Sequence, residues 1–503
     1  MKRNTLTTAV LAGLTGVAGM ASVANAVNVN PDGLGQVLLY PYYSARGGND
    51  TYISIVNTSD RAKAVKIRFI EALNSREVLD FNIYMSAYDV WAAGITQNEA
   101  GGGKIAFSDT TCTAPYLLES QGGEVDFSTL VLNDGGPDGP DRTLSGYVEV
   151  LEMGNLTGAA AAAATHTSAG VPPVSGTTEQ RTCGALLERW IGAGFANGTG
   201  EWIADDEFEL EAPTGGLFGA GAIINVAKGT MFGYNATAID GFWEDGVIAH
   251  TEPRSLFPSL QEGDTQSTVF VNGAVSNETW STGTDAMNHV LAYEKLMNEY
   301  MVIDDVDGAT EWVVTFPTKR FHTDASTSGA YVPAGSPESP FTTTWTDDFP
   351  YSCEEVDLRV WDREEQTPGA DTGGIGISPS ETPEDDVFEL CREANVIRFA
   401  NDGSLPDMAE ISGEPSPEVT AFSQHGYINF DLPSSFEAGW AQFDFSNRFS
   451  NPSLSSGNSA VGLPAIGFAA QTYTNGFLEG GVLANYGASF DHHGSRVLPT
   501  SAD

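Results

Sequence analysis

Positive charge is scarce in this chain. Its 503 residues hold 23 Lys and Arg against 67 Asp and Glu, a formal net charge of −44. A field of that sign repels phosphate backbones and anionic lipid, which excludes nucleic-acid binding. Long apolar runs are scarce as well. Beyond residue 26 no stretch reaches the roughly 20 residues of a membrane-spanning helix, so no membrane insertion is expected. Cysteine is limited to Cys112, Cys183, Cys353 and Cys391, with neither CxxC nor Cys/His spacing, which argues against structural zinc. HExxH, GxSxG, the P-loop and the dinucleotide-binding glycine pattern are all missing. No catalytic and no cofactor-binding residue is therefore assigned.

What is present begins at the N-terminus. Lys2 and Arg3 precede an apolar run from Ala9 to Ala21, and Ala24-Asn25-Ala26 has the small-x-small form of a cleavage site. The segment 1–26 reads as a signal peptide, cleaved after Ala26, and places the mature chain in the periplasm, on the cell surface or in the medium. No cysteine follows Ala26, and the last residues (Leu498 to Asp503) show no sorting tail and no terminal aromatic. The exported chain is expected to carry no anchor. An even cysteine count in an exported acidic protein implies two disulfides. Four cysteines allow three connectivities; the sequential one, Cys112–Cys183 and Cys353–Cys391, is preferred because each pair encloses a low-complexity segment.

The fold class read from periodicity is mainly β: antiparallel β-sandwiches, Ig-like or Greek-key, with long loop insertions and one or two short helices. Val65, Ile67 and Phe69 alternate with Lys66 and Arg68, which predicts a strand with one wet face. N-terminal strands are assigned to 27–100 and a β-rich middle to 101–325. Within the middle, 156–180 (with six alanines, Ala159 to Ala164) reads as a mobile surface insertion, and 285–301 as a helix. A low-complexity insertion or hairpin follows over 326–386, with partner strands at Val356–Asp362 and Phe388–Phe399. The C-terminal sandwich strands fill 387–503 and could share a sheet with the N-terminal ones. Asn475-Gly476 predicts a hairpin turn.

For metals, Asn133 to Asp141 (NDGGPDGPD) is the best-shaped loop, because hard cations want several oxygens on a glycine-permitted turn. Asp134, Asp138 and Asp141 are the candidate calcium ligands, against the plainer reading of Asp-Gly-Pro turn chemistry. Asp304-Asp305-Val306-Asp307-Gly308 is a weaker candidate, and Asp491-His492-His493 a weaker one still. Trp190, Trp202, Trp243, Trp280 and Trp345 could build a sugar-stacking platform, although such residues are more often core. A carboxylate pair of glycosidase type has no fixed spacing, so none is named.

Residues 34–95 (beginning GLGQVLLYPYYSARGG) and 462–487 (GLPAIGFAAQTYTNGFLEGGVLANYG) resemble segments of uncharacterised secreted bacterial proteins with Ig-like β-sandwich character. That resemblance implies export and the fold, and carries no catalytic residues. The leading expectation is an exported, non-enzymatic protein with a structural, adhesive or matrix role, partnering itself through strand edges or other surface components. The alternative is a secreted carbohydrate-binding protein or carboxylate-dependent hydrolase.

Overall fold

A computed structural model describes residues 26–166, 178–192, 198–306, 308–367, 388–401, 428–478 and 482–502. The leader up to residue 25, residues 167–177 of the expected insertion, and His425 lie outside the described residues.

Four sheets account for most strands. The first runs Asn28–Val29, Thr237–Asp240, Val37–Ser44, Ser145–Leu156, Lys63–Glu71, Glu77–Met85 and Cys112–Ala114, with Leu210–Glu211 beside Ser145–Leu156. The second runs Thr230–Asn235, Leu217–Asn225, Asn49–Asn57, Val90–Gln97, Gly103–Ala106 and Glu124–Asp126. The third orders Phe388–Leu390, Glu354–Asp362, Ala438–Asp444, Lys295–Met301 and His493–Ser495. The fourth orders Ile428–Leu432, Ala394–Asn401, Ala309–Thr315, Ile466–Leu478 and Val482–Asp491. Neighbours are antiparallel except Ala394–Asn401 with Ile428–Leu432. The mainly β, antiparallel reading is therefore correct.

Parity along the strands decides the layering. Ile53, Ile55, Ile67, Phe69, Trp91 and Val148 fill the space between the first and second sheets. The fourth sheet is buried on both faces. Val313, Val396 and Phe468 join that first core, while Trp312, Val314, Ile397 and Phe399 meet Val360 and Phe443 of the third sheet in a second core. N- and C-terminal strands thus occupy separate sheets and join by face packing.

Several expectations change. The predicted helix 285–301 is a helix only over Gly283–Leu291, capped by Thr282, whose side chain accepts from the Asp285 N–H. Lys295–Met301 is a strand, because Leu296 and Tyr300 satisfy period two as well as an i, i+4 helical stripe. The supposed wet face of the Val65 strand is sealed: Lys66 and Arg68 are buried, with Lys66 on Asp80 at 3.3 Å and Arg68 between Glu77 and Glu149. The alanine run forms a helix, Gly158–Ala164, whose Ala160, Ala163 and Ala164 bury against Cys183, Leu186 and Trp190. Ile466–Leu478 continues through Asn475-Gly476 with a register shift, so that pair is an irregularity within the strand and not its turn. The expected strand Phe388–Phe399 breaks at Cys391: Phe388–Leu390 pairs with Glu354–Val356, then the chain crosses to the fourth sheet. Both disulfides have the sequential connectivity, Cys112–Cys183 and Cys353–Cys391.

Candidate ligand-binding face

The third sheet covers its core with one face only. Val356, Leu358 and Val360 point inward, so Asp357, Arg359 and Trp361 point out; Ala441 and Phe443 point inward, so Trp440, Gln442 and Asp444 point out. Register sets these side by side. Trp361 lies opposite Trp440, Arg359 opposite Gln442, and Asp357 opposite Asp444. On the other side of Ala438–Asp444, Glu299 lies opposite Trp440, Met297 opposite Gln442, and Lys295 opposite Asp444. The result is an ordered grid of rings and planar polar groups.

Its centre is the tryptophan pair. The two indoles stack with centroids 4.2 Å apart and planes 13° from parallel, and Trp440 keeps 39% of its surface exposed. Gly439 makes the approach possible, because a Cβ there would overlap the Trp361 carbonyl oxygen and come within 2.8 Å of the Tyr300 hydroxyl. That hydroxyl donates to the same carbonyl at 3.2 Å, fixing the strand that carries Trp361. Arg359 is held to Asp357 on its own strand, Nε to Oδ2 at 2.8 Å. The whole grid rides on regular strands backed by Trp312, Phe399 and Phe443, so its spacing is rigid.

The residues singled out from the sequence lie elsewhere. Trp190, Trp202, Trp243, Trp280 and Trp345 are all core, none more than 4% exposed, so the expected stacking platform is not built from them. Trp361 and Trp440 were missed, yet their strands carried the signal: in VDLRVWD and WAQFDF each tryptophan falls on the polar parity.

The expected calcium loop is otherwise engaged. Asp134 is buried and accepts from Arg142 at 2.7 and 2.8 Å, from Arg76 at 3.1 Å and from Asn74 at 2.9 Å. Burial would raise its pKa, but the hydrogen bonds and charge of Arg142, with Asn74 and Arg76, hold it well below the carboxylate range. Asp138 and Asp141 are exposed, and the three carboxylates do not converge within ligand distance. The loop is a buried guanidinium clamp. Arg142 also donates to Glu71 at 2.9 and 3.0 Å, and Arg76 reaches Ser326 at 3.0 Å, tying the first sheet to the segment after Thr323. Among the described residues one group gathers three potential metal ligands, Cys353, Glu389 and Cys391, and its two sulfurs are bonded to each other.

The histidines are structural too. His250, His289 and His322 are buried and His492 is half-buried, and desolvation pulls each pKa down to about 4, leaving the rings neutral. Deeper still, burial pushes Glu393 up to about 8 beside the fully buried Lys319, whose ammonium donates to the Ser352 carbonyl. Both groups are buried. Comparison with known protein families, with curated proteins and with solved structures returns no match for this chain.

Proposed function

We propose that the chain is an exported, non-enzymatic protein with an adhesive or structural role at or beyond the cell surface, and that it makes contact through the Trp361/Trp440 face. The observation that carries this reading is a stacked tryptophan pair, Trp440 exposed and Trp361 half-buried, on a sheet whose inner side is packed. Solvent-facing tryptophan at such a position costs solubility without helping the core, which points to a partner. Export is supported by the leader and by the two disulfides. Val27, the first residue after the expected cleavage point, is wholly buried in the core formed with Val37 and Leu39.

Contact through a face is favoured over strand addition at an edge. Outer strands such as Cys112–Ala114, Glu124–Asp126, Phe388–Leu390 and His493–Ser495 have three residues each, too few to template a lasting ladder. The longer Val482–Asp491 abuts the second sheet, where the Asn485 amide donates to the Lys228 carbonyl at 2.7 Å. Cell fractionation tests the reading. Wild type should be found on the envelope exterior or in extracellular matrix, and Trp440→Ala should shift into the soluble fraction. Recovery of both proteins in the cytoplasm, or identical partition of both, would refute it.

A further inference from the structure

We infer that the outer face of the third sheet is a binding site for a neutral saccharide, with the Trp361/Trp440 pair as its stacking element. This rests on the surface-contact reading above and names the chemistry of what is contacted. A pyranose ring presents a patch of C–H bonds on one face and hydroxyls around its rim. Its complement is an exposed aromatic ring flanked by planar side chains that donate and accept in one plane.

The grid supplies that combination. Exposed Trp440 and half-buried Trp361 offer indole surface. Gln442, one register step away between Met297 and Arg359, is buried with 7% of its surface exposed and underlies the face beside the indoles. Arg359 supplies N–H donors from the next strand, already oriented by Asp357. Glu299, opposite Trp440 and exposed, supplies a carboxylate acceptor. Repeats along a polymer would run along the rows from Trp440 through Gln442 to Asp444, in the strand direction.

Charge selects the neutral class. The face carries Glu299, Asp357 and Asp444 against Lys295 and Arg359, on a chain whose net charge is −44. A polyuronate or sulfated glycan would meet repulsion locally and at long range. A second copy of the chain is a poor occupant for the same reason. A stable protein interface also needs about 1,000 Å² with a contiguous apolar centre, whereas Trp440 is the one large apolar side chain here that stands well exposed.

The test uses the mature protein, residues 27–503, titrated with hexasaccharides of β-1,4-glucan, β-1,4-mannan, β-1,4-xylan and chitin, with polygalacturonate as the charged arm. Tryptophan fluorescence and affinity electrophoresis give the readout. At least one neutral oligomer should bind, and Trp440→Ala and Trp361→Ala should each weaken it by about tenfold or more. Gln442→Ala should weaken it less. Phe349→Ala, a variant of an exposed ring outside this sheet, should bind as wild type. Trp440→Phe retains a ring and should keep part of the affinity, which separates stacking from any loss of folding. No binding to any neutral oligomer, undiminished binding in both alanine variants, or tighter binding of polygalacturonate would each overturn the inference. Envelope association that persists through such a failure would leave the surface-contact reading standing.

Discussion

Basic side chains are rare in this chain and a large share of them are inside it. Lys63, Lys66, Arg68, Arg76, Arg142, Lys319, Arg398 and Arg448 are buried, eight of the 23, each facing carboxylates or carbonyls. Removing one partner of such a pair strands a charge without solvent. Arg142→Met, which leaves Glu71 and Asp134 facing each other, should lower stability by about 3–5 kcal/mol in urea unfolding. Calcium or EDTA should leave the wild-type melting temperature unchanged, because Asp134 is already saturated by guanidinium. The buried imidazoles set the pH response. Their folded pKa values of about 4 lie below the ordinary imidazole value of about 6.5, so unfolded chains bind protons that folded chains refuse. The stability they support is complete above about pH 6.5 and is lost as pH falls towards 4. Buried carboxylates act oppositely, Glu393 raised to about 8 and Asp80 to about 6 with Glu149 and Glu152 raised as well, and they offset part of this loss as pH falls. Urea midpoints should therefore fall between pH 7 and pH 5, by about 1–2 kcal/mol per imidazole at most. His492→Gln should flatten that slope.

Among the elements, legibility followed how many explanations a pattern admits. The strands Asn49–Asn57 and Glu354–Asp362 alternate cleanly and were readable from the sequence. The segment 285–301 was not, because apolar residues at 287, 290, 291, 296 and 300 fit a helix throughout and also a helix followed by a strand. Tertiary pairing of Lys295–Met301 with Ala438–Asp444 decides between them. Two elements carry predictions. Gly439 is the only residue type that fits beside the Trp361 carbonyl, so Gly439→Ala should force the strands apart, lower stability and shift indole fluorescence together. The disulfide Cys112–Cys183 ties the helix Thr178–Ile191 onto the first sheet across 71 residues of sequence. A Cys112→Ser, Cys183→Ser double variant should lose about 2–5 kcal/mol and expose Trp190 and Trp202 to quenchers, while binding at the distant third sheet stays intact.

At the scale of the whole molecule, the N-terminal residues are part of the architecture. Ala26 and Val27 are buried, the Val27 N–H donates to Gln266 at 2.9 Å, and Asn28 and Val29 pair with Asp240 and Ile239. The bond expected to be cut during export therefore lies inside the fold. Precursor refolded in vitro should resist leader peptidase, whereas urea-unfolded precursor should be cut after Ala26; equal cleavage of both would show that this segment opens readily. Among the described residues no helix is long and apolar enough to cross a membrane.

Composition and periodicity by themselves determined the acidity, the β class, the presence of an even set of cysteines and the expectation of export, because each depends on residue type or on local spacing; which cysteines pair was a preference that the tertiary structure decided. They also carried the outward parity of Trp361 and Trp440. Only the tertiary structure decided which charges are inside, since burial depends on what covers a face and not on the face's own alternation. It alone turned NDGGPDGPD from a cation loop into an arginine clamp, with Arg76 arriving from the connection before Glu77–Met85, 58 residues away. And it alone brought Trp361 and Trp440 to 4.2 Å, because strand register, which sets neighbours across a sheet, is written in no single segment.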